Sequence, residues 1–341
     1  MRENTVDKIR VGIIGVRFGR HHVTTLSQMP DVQLVAVADR NPVLPEGLEA
    51  YARHYGARAY SDGIEMMERE NLDAVSICIS PRGREELIRH AARRGIPMIV
   101  EKPWATNLAH ARRLAEICRA HNAIVMVAFS FRFLPAVSKL RALMDGKLGP
   151  GWLLNGEYVF RWLPPPDHWL WNPENGNGFF NENSCHLFDV VCYLMGRPLS
   201  VMAEGGIFMG SPSEEAAAIV VRFEGGGLAA LTCGGLGSAA HLGFPRLDVV
   251  TRDGQAHLRG RHHIWESVTW ELRDDECQHT FVTHPEALGR TRYADAMRHF
   301  IDCVKTGRQP TATIQDGVTA VALAMAVYES AHTGQKVTLA P

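Results

Sequence analysis

At 341 residues, with 46% hydrophobic and 21% charged residues, the chain has the size and balance of a globular protein of two domains. Its 36 basic residues against 37 acidic ones leave a net charge of −1, which gives no electrostatic pull toward nucleic acid or an anionic membrane. The seven cysteines are scattered and never spaced C-x-x-C, which argues against a disulfide framework or zinc site and suits a reducing cytoplasm; neither a signal peptide nor a membrane span is expected.

From residue 9, short β-branched runs alternate with amphipathic stretches. IRVGII (9–14), LVAVAD (34–39), AVSICIS (74–80), PMIV (97–100) and AIVMVAF (123–129) read as strands buried on both faces. Between them GRHHVTTLSQM, LEAYARHYG, GREELIRHAARRG and LAHARRLAEICRAH carry apolar residues at helical spacing. This alternation predicts an α/β domain over residues 1–129, a doubly wound parallel sheet of the Rossmann kind. Beyond it the texture changes to strand-like runs split by Gly-rich turns, among them GWLLNGEYVFRWL, AAAIVVRFEGGGLAALTCGG, RLDVVTRDG and SVTWELRD. Helices are expected at PAVSKLRALMDG, CHLFDVVCYLMG, YADAMRHFIDCVKTG and GVTAVALAMAVYESAHTG. Residues 130–341 are therefore predicted to form an α+β domain around a mostly antiparallel sheet.

GIIGVRFGR (12–20) follows the first strand and opens the first helix, the setting of the dinucleotide-binding fingerprint G-x-G-x-x-G. Gly15 and Gly19 are in place, but the middle glycine is missing and the turn is one residue short. Glycine there lets the backbone approach a pyrophosphate that faces the helix N-terminus, so Gly12, Gly15, Arg17, Phe18 and Gly19 are candidate cofactor contacts. Arg17 either reaches the pyrophosphate as a charge-assisted donor or points into solvent. Asp39 ends the next strand, where a carboxylate meets the adenosine ribose and favours NAD, while Arg40 beside it can accept the 2′-phosphate of NADP. A plain strand–helix turn with glycines kept for packing is the competing reading.

Farther on, GIPMIVEKPWATNLAHARRL ends a buried strand in Glu101-Lys102-Pro103, at the carboxyl edge of the sheet where such folds place ligands. GNGFFNENSCHLFDVVCYLMG carries His186, with Glu182 four positions before it and Asp189 three after. Together with FSFRFLPAVSKLRALMDGKLG and the closing DGVTAVALAMAVYESAHTGQKV, these stretches resemble the Gfo/Idh/MocA family of oxidoreductases over nearly the whole chain. The resemblance implies a nicotinamide cofactor, a catalytic pair formed by Lys102 and His186, and Glu182 where the family commonly has Asp. It also implies cofactor contacts from Ser80, Pro81, Glu101 and Lys102, a proline at 103 that is often cis, and dimers or tetramers built on an exposed sheet face. In SPRGREE, Arg82 and Glu85 stand where many members have Asn and His, so contacts on the nicotinamide side are expected to differ.

Oxidising a secondary alcohol sends a hydride to nicotinamide and a proton to the protein. His186 suits the proton, and Lys102 suits the negative charge developing on oxygen. Asp189, on the His186 face of a helix, or Glu182 would orient the imidazole, unless the group is a structural hydrogen-bond network. Arg132, Trp162, His168, Trp169, Trp171 and Asn177 are weaker substrate candidates, since aromatic walls with a few polar groups suit a sugar ring; the tryptophans suit a core or subunit interface equally well. His262-His263 has no partner cluster, so no metal is expected, and no G-x-S-x-G elbow supports a hydrolase. The expected function is an NAD(P)-dependent oxidoreductase acting on CH–OH groups of a cyclic polyol or sugar such as an inositol. Two alternatives stand: a sugar–sugar oxidoreductase that keeps its cofactor bound, and a nucleotide-binding regulator without catalysis.

Overall fold

The computed structural model describes residues 8–238, 242–261, 264–283 and 288–339. In β1 (Ile9–Ile14), Val11, Ile13 and Ile14 are at most 4% exposed, so both faces of the strand are covered. α1 (Val16–Ser27) buries Val16, Gly19, His22, Val23 and Leu26, the stripe expected of a helix lying on a sheet. There follow β2 (Val32–Ala38), α2 (Leu48–His54), β3 (Arg58–Tyr60), α3 (Gly63–Arg69), β4 (Ala74–Ile77), α4 (Glu85–Arg93), β5 (Met98–Val100), α5 (Leu108–Ala120) and β6 (Val125–Val127). The strands form one sheet in the order β3-β2-β1-β4-β5-β6, with neighbours parallel throughout. This is the doubly wound order, and its direction reverses between β1 and β4, the point at whose carboxyl ends nucleotides bind.

β3 and α3 were not expected from the sequence. β3 pairs over only three residues, and α3 is a seven-residue helix begun by the Asp62 carboxylate, which accepts the N–H groups of Ile64 and Glu65.

The second architecture runs through α6 (Pro135–Leu143), β7 (Gly151–Val159), α7 (Gly178–Glu182), α8 (Cys185–Met195), β8 (Pro198–Gly206), β9 (Ala216–Phe223), β10 (Leu228–Gly234), β11 (Leu242–Thr251), β12 (Gly254–Arg261), β13 (Ile264–Leu272) and β14 (Gln278–Val282), then α9 (Leu288–Thr306), α10 (Ile314–Thr333) and β15 (Val337–Thr338). Nine strands form one sheet, β14-β13-β12-β11-β7-β10-β9-β8-β15, in which β7 and β10 are parallel and the other pairs antiparallel. β9 alternates buried and exposed positions along its length, so one face is covered and the other is open. The covered face shares a core with Val137 and Leu140 of α6, Leu187 and Val191 of α8, and Leu323 and Val327 of α10. The open face carries Leu153, Met202, Val220 and Val250, brought side by side by the register of β11, β7, β10, β9 and β8. β14 escaped the sequence reading because it is a largely polar, exposed edge with no alternation.

The chain forms two compact units, and a single cut at 129/130 does not separate them. The first unit takes the chain up to Trp104, Ala109–Ala128 and Tyr293–Gln315; the second takes Ala105–Leu108, Phe129–Arg292 and the chain from Asp316. Residues 293–315 return to the first unit because Val127 N–H donates to Ala312 O (3.0 Å), Gln309 donates to Ala123 O (3.2 Å), and Arg298 and Lys305 both pair with Asp31. Residues 105–108 belong to the second, where the side-chain amides of Asn181 and Asn177 donate to Ala105 O (3.0 Å) and Thr106 O (2.6 Å). No helix among the described residues is long and apolar enough to cross a membrane.

Candidate functional site

In the first unit the glycine turn lies at the β1–β4 switch point. Gly15 has φ +87° and its N–H donates to Ala38 O (2.8 Å). A Cβ there would stand 2.7 Å from Ile79 Cγ2 and 2.8 Å from Cys78 O, so only glycine fits. At Gly19 a Cβ would meet Cys78 Cβ at 3.1 Å, which places this glycine in the close packing of α1 on β4. Gly12 is corrected from a cofactor contact to a packing residue, since it lies inside β1 and Leu72 and Met66 fill the place of its side chain. Asp39 directly follows β2, and its carboxylate accepts Val16 N–H (2.8 Å) and Asn41 N–H (2.9 Å), tying the end of β2 to the start of α1. Arg40 is ion-paired with Asp62 (2.6 Å) at the surface. Arg17, Phe18 and Ser80 are exposed, and Phe18 packs edge-on to Tyr293 (6.3 Å). Pro81 is buried at the start of a single 3-10 turn.

Lys102 is held through its backbone. β5 runs into Glu101, whose N–H donates to Ile77 O (2.9 Å). Glu101 is 5% exposed; its Oε1 meets His22 Nε2 at 2.9 Å, and its Oε2 accepts Lys102 N–H at 3.1 Å. His22 Nδ1 lies 2.7 Å from Ser76 Oγ and 3.4 Å from Cys78 Sγ. Burial alone would lower the His22 imidazole, but Cys78 and Glu101 outweigh it and raise its pKa to about 10. Burial likewise opposes ionisation of Glu101, yet His22, with Lys102 and Arg84, holds its carboxyl below the usual range. The pair is therefore imidazolium and carboxylate. From the other side the buried Arg84 donates to Ile79 O (2.7 Å), Pro103 O and Lys102 O (3.5 Å). The Lys102–Pro103 bond is cis, and Glu85 is paired with Arg89 and Arg113 (2.8 Å each).

In the second unit His186 is the second residue of α8, and its ring stacks on Phe131 with centroids 4.4 Å apart and planes 16° from parallel. Glu182 closes α7 and is 9% exposed. Asp189 does not serve the imidazole: Arg132, on the 3-10 turn 130–133, binds it bidentately (2.6–3.0 Å) and also pairs with Asp316 (2.8 Å). Arg132 is 4% and Asp189 2% exposed, so the two residues expected to meet the substrate form a buried ion cluster in this structure. Burial works against the guanidinium charge, but Asp189 and Asp316 outweigh it and raise the Arg132 pKa further.

The remaining loop candidates divide. Trp162, His168 and Trp169 are brought together partly exposed, His168 lying 6.3 Å from Trp162 and 5.4 Å from Trp169 by ring centroids. Trp171 is a core residue whose Nε1 donates to Pro165 O (3.1 Å). Asn177 sits at φ +59° and its side-chain N–H donates to Thr106 O, which holds the loop. His262 and His263 lie outside the described residues. Among the described residues no group of three or more His, Cys, Asp or Glu is placed to hold a metal ion.

Residues 9–129 match the profile described as the oxidoreductase family's NAD-binding Rossmann fold, and residues 141–339 match its C-terminal alpha/beta domain. The chain belongs to the Gfo/Idh/MocA oxidoreductase family. Family relatives include a D-apiose dehydrogenase of Paraburkholderia graminis, 26% identical over 98% of this chain and 91% of the relative. Another is a myo-inositol 2-dehydrogenase of Thermotoga maritima, 27% identical over 97% of this chain and 98% of the relative. A levoglucosan dehydrogenase solved with NADH and levoglucosan shares the fold at a TM-score of 0.87, with 20% identity over 98% of this chain and 100% of that one.

The first unit fits the family's dinucleotide. Gly15 keeps the turn bare of side chain, and α1 opens at the carboxyl edge with the first-turn N–H groups of Arg17 and Phe18, which have no partner within a helix. The short turn does cost one such donor, because Val16 N–H goes to Asp39. The sequence reading missed His22, Arg84 and Phe131. His22 left a signal, a polar residue on the apolar stripe of α1 that needs a buried partner. The other two left none, since their roles depend on which carbonyl or ring the fold brings to them.

Proposed function

We propose that this oxidoreductase transfers a hydride between NAD and a secondary hydroxyl or ketone of a cyclic polyol or sugar. The observation that carries the reading is Lys102 at the end of β5, its N–H taken by a buried carboxylate and its carbonyl by a buried guanidinium. A lysine so anchored has a fixed backbone from which its side chain leaves in a reproducible direction, as placing an ammonium against a developing alkoxide requires. The relatives named as inositol and apiose dehydrogenases support the substrate class.

When bound, NAD supplies the hydride acceptor at its nicotinamide. In this reading Lys102 donates a hydrogen bond to the reacting oxygen, and His186 takes the proton that leaves it. Phe131 fixes the plane of the His186 ring by stacking. Glu182 orients the imidazole, the role left open once Asp189 is bound to Arg132. Trp162, His168 and Trp169 offer aromatic faces to the C–H side of a sugar ring. Asp39 favours NAD over NADP, and Arg17 together with Ser80 and Pro81 completes the cofactor contacts. The open sheet face, with Leu153, Met202, Val220 and Val250 exposed, supports a homodimer or a tetramer built from it. Seven scattered cysteines support a reducing, cytoplasmic setting.

The test is a screen of myo-inositol, D-xylose and D-apiose with NAD and with NADP, followed by nicotinamide absorbance. Turnover of one of them is expected, with Lys102→Ala losing about a hundredfold in rate and much less in NAD affinity. His186→Asn should lose most turnover without a lower melting temperature. Near-normal turnover in Lys102→Ala would refute the reading.

A further inference from the structure

Beneath the glycine turn lies an ion pair that the hydride chemistry above does not use. His22 and Glu101 have side chains 0% and 7% exposed, and each is bound on both sides. His22 reaches Ser76 with one ring nitrogen and Glu101 with the other; Glu101 reaches His22 with one oxygen and the Lys102 N–H with the other. His22 belongs to α1, the helix whose first turn faces the dinucleotide, and stands on the same buried stripe as Gly19. A continuous line of hydrogen bonds thus runs from the cofactor helix through His22 and Glu101 to the backbone of Lys102.

An ion pair kept only for stability has an apolar equivalent. Replacing both buried charges by apolar residues of like volume is often neutral or stabilising, whereas removing one leaves the other stranded. What an apolar pair cannot do is accept the Lys102 N–H.

We propose that His22 and Glu101 are positioning residues for hydride transfer, holding Lys102 in register with the helix that binds the cofactor. The proposal rests on the assignment of Lys102 to the reacting oxygen, made above. Misplacing a catalytic group by about 1 Å costs up to about a hundredfold in rate. Both Glu101 oxygens are taken within the protein, by His22 and by the Lys102 N–H, so in this proposal Glu101 is not the cofactor contact the family resemblance implied, and losing the link leaves NAD affinity nearly unchanged.

The experiment compares wild type, His22→Leu, Glu101→Met and the double variant. Each is measured for melting temperature without NAD, NAD affinity by calorimetry, kcat on the polyol found in the screen, and amide exchange of the Lys102–Trp104 segment, where Pro103 has no N–H. Both singles are expected to melt lower. The double should recover the melting temperature yet keep kcat down by about tenfold or more, with NAD affinity within about threefold of wild type and faster exchange at Lys102. A double variant with kcat within about threefold of wild type and unchanged exchange overturns the proposal and makes the pair structural. If the double does not fold, Glu101→Asp replaces it, a carboxylate one methylene too short to span His22 and Lys102 together. It is expected to lose about tenfold in kcat at unchanged NAD affinity, and wild-type kcat overturns the proposal. Lys102→Ala is measured alongside: normal turnover there refutes the assignment of Lys102 itself, an outcome distinct from a double variant that works while Lys102→Ala does not.

Discussion

Gly15→Ala isolates the central constraint of the nucleotide turn. The substitution adds one carbon, and the structure states what it meets: Ile79 Cγ2 at 2.7 Å, Cys78 O at 2.8 Å and Cys78 C at 2.9 Å. Two of these are backbone atoms at the end of β4, which cannot swing aside as a side chain can. Relieving the overlap costs about 1–3 kcal/mol, in line with overpacked cores. The residue must also keep φ +87° with ψ 105°, outside the left-handed helical region, which costs an L-residue about 1–3 kcal/mol. The sum is about 2–6 kcal/mol. At about 2–3 °C per kcal/mol for a protein of this size, the melting temperature should fall by roughly 4–18 °C. Gly95→Ala is the control, because Gly95 has φ +65° with open space around its Cβ position, so it should lose only about 1–2 kcal/mol. Differential scanning calorimetry on both variants without NAD separates the two terms, and titration with NAD then shows how far the turn has moved. The fold penalty appears before any cofactor is added, since the obstruction is β4 and not the pyrophosphate. If Gly15→Ala melts with Gly95→Ala, the close approach of β1 to β4 at this turn is wrong; if it melts with wild type, so is the positive φ.

Asp39→Ala removes the acceptor of Val16 N–H, so it should cost about 1 kcal/mol in urea unfolding as well as lowering the preference for NAD over NADP; an unchanged ratio with the stability loss would make Asp39 purely a cap. Arg132→Met strands Asp189 in the core and should cost about 3–5 kcal/mol, while Arg132→Met with Asp189→Leu recovers most of it; stability equal to wild type in the single variant would contradict the buried cluster. The His22–Glu101 pair gives stability a defined pH window. His22 is raised in the fold from 6.5 to about 10, so its contribution is full below about 6.5 and is lost as pH rises through 10. Glu101 is lowered from 4.5, so its contribution is full above 4.5 and is lost as pH falls through its depressed value. The gap in melting temperature between wild type and His22→Leu should therefore be widest between about pH 4.5 and 6.5 and narrow toward 10; a gap that widens with alkali would show that His22 is neutral in the fold.

Local pattern was sufficient for most of the architecture. The two-faced apolar runs of β1, β2 and β4 and the stripe on α1 are properties of neighbouring residues, so periodicity alone revealed the alternation of strands and helices that builds a parallel sheet. Where that local signal is weak, as in three-residue β3 or exposed β14, the sequence was silent. Gly15 and Lys102 were singled out because strand ends and helix starts mark where a doubly wound sheet presents its ligands, and His186 because the family resemblance supplied its role. Partner choice is another matter. His22 meets Glu101 across 79 positions, Arg132 meets Asp189 across 57, and Arg298 meets Asp31 across 267, so no local window of sequence contains both halves of the decision. Helical spacing put Asp189 on the His186 face, which is true, but a buried carboxylate goes to the cation the fold brings nearest, and that is Arg132. The same holds for residues 293–315, whose helical pattern carries no record of the Asp31 carboxylate and β6 edge that draw them back to the first unit. Periodicity is written by the neighbours along the chain; the partner of a buried charge is settled only when distant segments close around it and exclude water.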